Sequence, residues 1–430
     1  MNFDPGFIPK VIILAGGKGT RSENPLIPKI LQPISPSETL LDLHIKNLGN
    51  FKSIDLTFLL GHLNEQVIER LRTLNKSPNI SVNWKIDTPS DNPVTAVTRL
   101  IASELNQNQI YILILGDVLV NTDLMRYSLE LSKSSFKGFV LVHPNLHPLE
   151  SDVFEFDIDN KAKKLALKGE LSSNTRPTRA IAGVYLFKGS ALEMFNTNES
   201  ELTTGIIAPL FSAGELNVIN SVEYFQDTGT KSRLLKAQND FQSGAFHKRG
   251  EIPKKAIFLE FEEMLIKEPN RGSNKDIVIQ SPSEISTAIS KANSKGIPIV
   301  LFSLLKKETS LSEQAQVLSI VSQVESELRD LNAIVDDFIF VQESNRSQTA
   351  ESNCFHPEVL GDCNICGPAL IEITRRHSID QQNSILLGGS EGLLEISTAI
   401  GMQFKKTRDK NNTLEDLGKL VNDAITRILK

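Results

Sequence analysis

Val11-Ile12-Ile13-Leu14-Ala15-Gly16-Gly17-Lys18-Gly19-Thr20-Arg21, followed seven residues later by Pro28-Lys29, is the stretch on which the fold turns. An apolar run that ends abruptly in a glycine-rich, basic turn reads as a buried strand delivering a phosphate-binding loop. Gly16, Gly17 and Gly19 let the backbone approach anionic oxygens and turn its N–H groups toward them. Lys18, Arg21 and Lys29 add fixed positive charge, the arginine with a planar fork suited to phosphate. The spacing matches neither the Walker pattern nor G-x-G-x-x-G. The bland alternative is an ordinary strand-to-helix turn with exposed basic residues; the downstream Pro-Lys favours the phosphate loop.

Outward from this stretch, residues 10–15, 56–60 and 111–115 read as buried strands, with helical segments at 40–48 and 64–74. Strands alternating with helices indicate an α/β protein with a mostly parallel, doubly wound sheet. In such sheets ligands sit beyond the carboxyl ends of the strands, where the opening motif falls. From about residue 137 the pattern becomes a two-residue alternation at 139–142, 153–157 and 182–187, which predicts antiparallel strands inserted over the open face. A hairpin turn is expected at 157–161, a closing segment at 224–230 and a helix at 232–241.

Residues 242–254 are polar, basic and punctuated by Gly and Pro, and read as a linker between a first domain, 1–241, and a second, 255–406. The second domain repeats the strand–helix alternation. Strands are expected at 256–259, 298–302, 338–341 and 384–387, and helices at 282–294, 312–331 and 368–377. Residues 407–430 add a C-terminal amphipathic helix with Thr413 as its cap. There is no internal repeat, because the two halves open differently.

At 430 residues and 40% hydrophobic content, the chain can bury cores for two or three domains. A net charge of −6 leaves no basic footprint for nucleic acid or an anionic membrane surface. The longest apolar run, 297–305, is too short to cross a bilayer and is interrupted by Pro298. The first residues carry neither a basic nor an apolar leader pattern, so a cytoplasmic protein is expected. Only 3 cysteines are present, which argues against a secreted disulfide scaffold, and all lie between 354 and 366.

Two acidic elements follow the basic loop, Gly116-Asp117 at the end of an apolar run and Asp227-Thr228-Gly229-Thr230. Singly, each aspartate could be a helix cap or a turn residue. Together, beside a phosphate loop, Asp117 and Asp227 suit Mg²⁺, which is usually held by one or two carboxylates plus substrate phosphates.

The order and spacing of these motifs over residues 10–241 resemble the sugar-1-phosphate nucleotidyltransferases. The chain is particularly similar to a bacterial group in which such a transferase, specific for heptose or mannose 1-phosphates, is fused to a heptose-bisphosphate-phosphatase-like domain. The stretch from His143-Pro144 through His147-Pro148 to Ser151-Asp152 carries part of that likeness, with Leu146 and Glu150 as departures. The resemblance implies two Rossmann-like domains, a nucleotidyltransferase (GT-A-like) fold followed by a haloacid-dehalogenase-like (HAD-like) fold. It implies a sugar 1-phosphate attacking the α-phosphorus of a nucleoside triphosphate, with GTP or ATP favoured and pyrophosphate released. Leu14, Ala15, Gly16, Gly17, Lys18, Gly19 and Thr20 would then bind the nucleotide. Arg21 would stabilise the departing pyrophosphate, and Lys29 the α-phosphate or the sugar phosphate. Asp117 and Asp227 would hold Mg²⁺, and Lys168 and Gly183 would lie at the sugar phosphate; for Lys168 a solvated surface lysine is the alternative. One departure affects the base. Where the family has a Leu-Gly-Thr-Ala-like turn, this chain reads Asp91-Asn92-Pro93-Val94-Thr95-Ala96, so only Thr95-Ala96 persists and Pro93 stiffens the turn.

Residues 256–265 resemble the opening motif of the haloacid-dehalogenase phosphatases, but Glu260 and Glu262 stand where the nucleophilic and acid/base aspartates belong. An extra methylene shifts a nucleophile by about an ångström, enough to cost on the order of 10²-fold. Ser303 can stand for the second-motif hydroxyl. Ile365 takes the place of the phosphate-binding lysine, and Gly389 and Leu393 replace the last two metal-binding aspartates. The expectation is a pseudophosphatase. Separately, Cys354, His356, Cys363 and Cys366 bring soft or borderline ligands together, and fit a structural Zn²⁺ site; a loop with free thiols is the alternative. The expected whole is a Mg²⁺-dependent nucleotidyltransferase whose second domain serves as a regulatory or homo-oligomer surface. Its rivals are a non-catalytic binding protein and a bifunctional enzyme with residual phosphatase activity.

Overall fold

The structure is a computed structural model and describes residues 8–17, 25–74, 79–88, 92–171, 176–261, 283–305, 310–342, 367–389, 392–407 and 414–429. The chain divides into two compact units, Met1–His143 with Ile181–Gln242, and Pro144–Ala180 with Ser243–Lys430. The first eleven strands are β1 (Lys10–Ala15), β2 (Ile54–Leu60), β3 (Ile80–Ile86), β4 (Ile110–Leu115), β5 (Val118–Asn121), β6 (Gly138–His143), β7 (Val153–Phe156), β8 (Ala162–Ala166), β9 (Thr178–Lys188), β10 (Leu216–Asn220) and β11 (Tyr224–Asp227). Five more follow, β12 (Ile257–Glu260), β13 (Ile299–Leu305), β14 (Asp337–Gln342), β15 (Ile385–Gly388) and β16 (Gln403–Lys406).

In the first unit the sheet order is β10-β6-β9-β4-β1-β2-β3. Strand β1 lies between two parallel partners, with Leu14 opposite Leu59 on one side and Leu115 on the other. Val11, Ile12 and Ile13 are buried on both faces, the environment that selects a continuous apolar run. Val11 and Ile13 share a core with Leu41, Val67 and Leu71 from the covering helices. Three strands absent from the sequence reading appear here, β3, β5 and β10. Strand β3 is the sheet edge, where Ser81, Asn83 and Lys85 stay polar and hide the strand signal. Strand β5 follows Asp117 directly and pairs antiparallel with β11, Val118 opposite Asp227. The run 139–142 is not inserted over an open face: β6 belongs to the main sheet and pairs in parallel with β10. Its residues Phe139 to Val142 are all buried, so the apparent alternation is a strand covered on both sides.

In the second unit β7 and β8 form an antiparallel hairpin, turning at 157–161 as expected. Asp157 Oδ1 accepts the N–H groups of Asp159 and Lys161 at 3.0 and 2.8 Å, and Asn160 takes the left-handed conformation the turn needs. Strand β7 also pairs with the opening residues of β9, Val153 opposite Ala180. The rest is a parallel sheet, β14-β13-β12-β15-β16, with cores on both faces. Residues 242–254 are more than a linker, since they contain the helix Ala245–Gly250, with Phe246 buried. The C-terminal helix Leu414–Ile428 is likewise part of this core. Val421, Ala424, Ile425 and Ile428 are buried in it, and Gly418 lets the helix close on Glu284, where a Cβ would stand 2.9 Å from the Glu284 side chain. The expected cap, Thr413, lies outside the described residues.

The insertion 144–180 therefore groups with the C-terminal part of the chain. Two side-chain contacts hold it there. Arg179 Nη1 donates to Glu325 Oε1 at 2.6 Å, and Asn160 Nδ2 donates at 2.9 Å to Asp337 Oδ1, whose partner oxygen is 2.7 Å from His377 Nε2.

Candidate active site

Three backbone segments converge where β1, β2 and β4 end. Gly116 donates its N–H to the Leu14 carbonyl at 2.8 Å, and a Cβ on Gly116 would stand 2.5 Å from that oxygen. A Cβ on Gly61 would stand 2.6 Å from the Gly16 carbonyl oxygen and 2.9 Å from its Cα. Glycine at both positions is a requirement of close approach. Beyond this contact Leu14, Ala15 and Gly16 are half-buried and Gly17 is exposed, so the end of β1 opens to solvent. Lys18, Gly19, Thr20 and Arg21 lie outside the described residues.

Asp117 follows Gly116 and is held from behind, since its carbonyl accepts both the N–H and the hydroxyl of Thr228 at 2.8 Å. Lys29 begins a short 3-10 turn, Lys29–Leu31, which is anchored by buried Ile30. Its Nζ donates to Asp117 Oδ2 at 2.6 Å. The same Nζ would be 3.6 Å from a Cβ on Gly229, which puts Lys29 against the turn carrying Asp227. Asp227 Oδ1 accepts the Gly229 N–H at 2.5 Å, and its Oδ2 pairs with Arg233 at 2.6 Å. The structure thus brings Lys29, Asp117 and Asp227 into one cluster, tied to the end of β1 through the contact of Gly116 with Leu14. Both carboxylates are partly exposed, 29% and 43% for their side chains. Two hard oxygen donors fit Mg²⁺ shared with phosphates, whereas no cluster of three or more metal-binding side chains exists among the described residues.

Gly183 backs onto this cluster. It has φ +75°, and a Cβ there would press on Val118 and Leu115, the residues flanking Gly116-Asp117, at 3.0 and 3.2 Å. The segment read as a stiffened turn at 92–96 is a helix start. Asn92 caps the helix Pro93–Ala102 by accepting the Thr95 N–H at 2.8 Å, and Pro93 sits in the first turn, where no backbone donor is needed. Thr95 Oγ1 donates to the Thr197 carbonyl at 3.4 Å. Lys168 belongs to the second unit, where its side chain is exposed and its N–H donates to Asp152.

Two residues escaped the sequence reading. Arg233, the ion-pair partner of Asp227, lies one turn into the helix Lys231–Gln242. His44 is 3% exposed on the helix Leu40–Asn47, hydrogen-bonded to the Gly116 backbone and near Asp117, with no partner for Nε2. Its one signal was a polar residue among the apolar positions Leu40, Leu41 and Leu43. Burial pulls the imidazole down to about 4, outweighing the opposing effects of the Gly116 hydrogen bond and the Asp117 charge. The folded protein therefore binds fewer protons than the unfolded chain between pH 6.5 and about 4. His44 accordingly contributes stability that is present above pH 6.5 and is lost as the pH falls toward 4. The loss amounts to up to about 3 kcal/mol. Urea unfolding across this window is expected to show a steeper acid limb for the wild type than for His44→Gln; identical limbs would remove His44 as the cause.

In the second unit, Glu260 is buried at the end of β12, and its Oε2 accepts the Gly389 N–H at 2.6 Å. Ser303 is buried on β13, and Leu393 is buried against the backbone of Gly388, where a Cβ would collide with it. Glu262, Ile365, Cys354, His356, Cys363 and Cys366 lie outside the described residues. Among the described residues no helix is long and apolar enough to cross a membrane.

The chain is similar in structure to a protein of Bacillus anthracis described as a putative glucose-1-phosphate thymidylyltransferase and solved with sucrose. The two share 18% identity over 54% of this chain and 94% of that one, with a TM-score of 0.44. It is similar also to a UDP-glucose pyrophosphorylase solved with UDP-glucose, at 15% identity over 55% of this chain and 99% of that one, TM-score 0.42. No curated protein matches the chain. The sequence model of the nucleotidyl transferases matches residues 10–244, which contain every element of the cluster just described. With that match covering more than half of its length, the chain belongs to the nucleotidyl transferase family and is a nucleotidyltransferase.

Proposed function

We propose that the protein transfers a nucleotidyl group from a nucleoside triphosphate, GTP or ATP, to a sugar 1-phosphate of the heptose or mannose type. The observation that carries this reading is the meeting of Lys29 with Asp117 and the Asp227–Gly229 turn. A phosphate oxygen of the sugar 1-phosphate attacks the α-phosphorus. The bond from that phosphorus to the oxygen bridging to the β-phosphate breaks, and pyrophosphate leaves with the electron pair. The nucleophile is already an anion near neutral pH, so no general base is needed, and catalysis rests on positioning and charge.

In this reading the backbone from Leu14 to Thr20 cradles the triphosphate and Arg21 meets the departing pyrophosphate. Lys29 exchanges its bond to Asp117 for one to the reacting phosphates. Thr95 lies toward the base, and Gly183 serves the sugar phosphate. Asp117 and Asp227 would hold Mg²⁺, which when bound neutralises phosphate charge and orients the reacting oxygens.

The second unit is in this reading a haloacid-dehalogenase-like domain without phosphatase activity. Glu260 supports it, because its carboxylate is engaged by the Gly389 N–H rather than presented to solvent. Cys354, His356, Cys363 and Cys366 offer the thiolate and imidazole donors that structural zinc prefers. The test is a release assay over a panel of nucleoside triphosphates and sugar 1-phosphates, run alongside heptose bisphosphate alone. Pyrophosphate is expected from at least one pair, and no phosphate from the bisphosphate. Nucleotide binding without turnover of any pair would sink the transferase reading, and phosphate release the pseudophosphatase.

A further inference from the structure

In the proposed reaction Asp227 holds a cation, yet both of its oxygens are already engaged. Oδ1 accepts the N–H of Gly229, two residues on in the same turn, at 2.5 Å, and Oδ2 accepts Arg233 Nη1 at 2.6 Å. The first bond belongs to the turn and travels with it. The second comes from another element, the helix Lys231–Gln242, and can be exchanged by a side-chain movement alone. The helix itself is fixed. The Tyr224 hydroxyl donates to Asp240 Oδ2 at 2.9 Å, Gln238 Nε2 donates to the Pro33 carbonyl at 2.8 Å, and Ala237 is buried. Arg233 thus keeps its backbone place, while its side chain and that of Asp227 are both partly open to solvent.

A guanidinium held against a carboxylate opposes a divalent cation there in two ways. It occupies one of the oxygen's acceptor sites, and its charge repels the cation, weakening binding by about 10-fold even in high dielectric. Mg²⁺ adds to this by giving up its waters reluctantly. A polyphosphate changes the balance, because its oxygens offer anionic partners to the cation and to the arginine fork at once. Lys29 stands to Asp117 as Arg233 stands to Asp227, so each carboxylate is paired with a side chain that phosphate can draw away.

We propose that Arg233 is a positioning residue that keeps Asp227 from taking a free divalent cation and yields it when the cation arrives with the triphosphate. The proposal rests on the reading of Asp227 as a metal-holding carboxylate. Mn²⁺, followed by its paramagnetic resonance signal, is titrated into the full-length protein after treatment with chelator. Arg233→Met is expected to bind Mn²⁺ about 10-fold more tightly than wild type. Arg233→Lys, which keeps the charge, is expected to stay within about 3-fold of wild type. The complex of Mn²⁺ with inorganic tripolyphosphate, titrated by calorimetry, should bind Arg233→Met no more tightly than wild type, because the guanidinium then has phosphate to meet. Lys236→Met removes a charge three residues along the same helix, where Lys236 pairs with Asp240, and should leave both affinities unchanged. Three results would overturn the proposal: equal Mn²⁺ binding by wild type and Arg233→Met, equal tightening by Lys236→Met, or a parallel tightening for the tripolyphosphate complex. Asp227→Asn tells this failure from that of the underlying reading. Wild-type Mn²⁺ affinity in Asp227→Asn removes the metal reading itself. Weaker binding there, with no change in Arg233→Met, removes only the role of Arg233.

Discussion

Asp117→Asn is expected to lower nucleotidyl transfer by about 10³-fold, the scale of several kcal/mol that a metal contact supplies to a phosphoryl transition state. The fold should survive. The Thr228 bonds to residue 117 use its backbone carbonyl, which the substitution keeps. The amide also fills the same space against Lys29. Binding of the triphosphate without metal should be unchanged or tighter, because a negative charge beside the phosphates has been removed and Lys29 has lost its anionic partner. The opposed signs make the test sharp. Rate is measured against magnesium concentration and nucleotide affinity by calorimetry in chelator. If the Asp117→Asn enzyme retains a rate within about 3-fold of wild type, Asp117 holds no metal that matters.

Gly61→Ala is expected to cost both stability and rate. The added methyl would fall 2.6 Å from the Gly16 oxygen and 2.9 Å from its Cα, and neither is the mobile end of a side chain. Overpacking against backbone costs about 3 kcal/mol. What gives way is the junction where β1 releases the phosphate loop, so a shift of about an ångström there should lower kcat by on the order of 10²-fold. Thermal melting and steady-state kinetics read the two effects. Gly17→Ala is the control, with nothing within 4 Å of its added methyl, and should melt as wild type does. Equal behaviour of the two variants would mean that the Gly16–Gly61 contact positions nothing.

The centre of the first sheet was legible because Val11 to Leu14 and Ile110 to Leu115 are apolar without interruption, as only doubly covered strands are. The edge was not. Ser81, Asn83 and Lys85 are polar, and the strand that carries them is defined by pairing with β2 rather than by its own composition. Asp117 and Asp227 were legible as candidates, since a strand-end acid near a phosphate loop has few other reasons to stand there. Their partners were not. Arg233 reads as one more charge on a polar helix, and His44 as one polar residue in an apolar face, until the fold brings each to its carboxylate or backbone. Asn92-Pro93 reads as a stiff loop because a helix cap followed by proline looks the same until the helix after it is counted. Arg179 and Glu325 stand 146 positions apart, and no local pattern links residues at that distance.

Because residues 144–180 are enclosed in sequence by one unit and packed in space with the other, the chain threads from the first to the second and back before leaving it for good. A ribosome delivers the β7–β8 hairpin well before Glu325 and Asp337, the residues it packs against. The hairpin must therefore wait, partly unhoused, for most of the second half to be made. The same threading limits inheritance. A crossover at residue 242 that replaced the C-terminal part would leave Arg179 without Glu325 and Asn160 without Asp337.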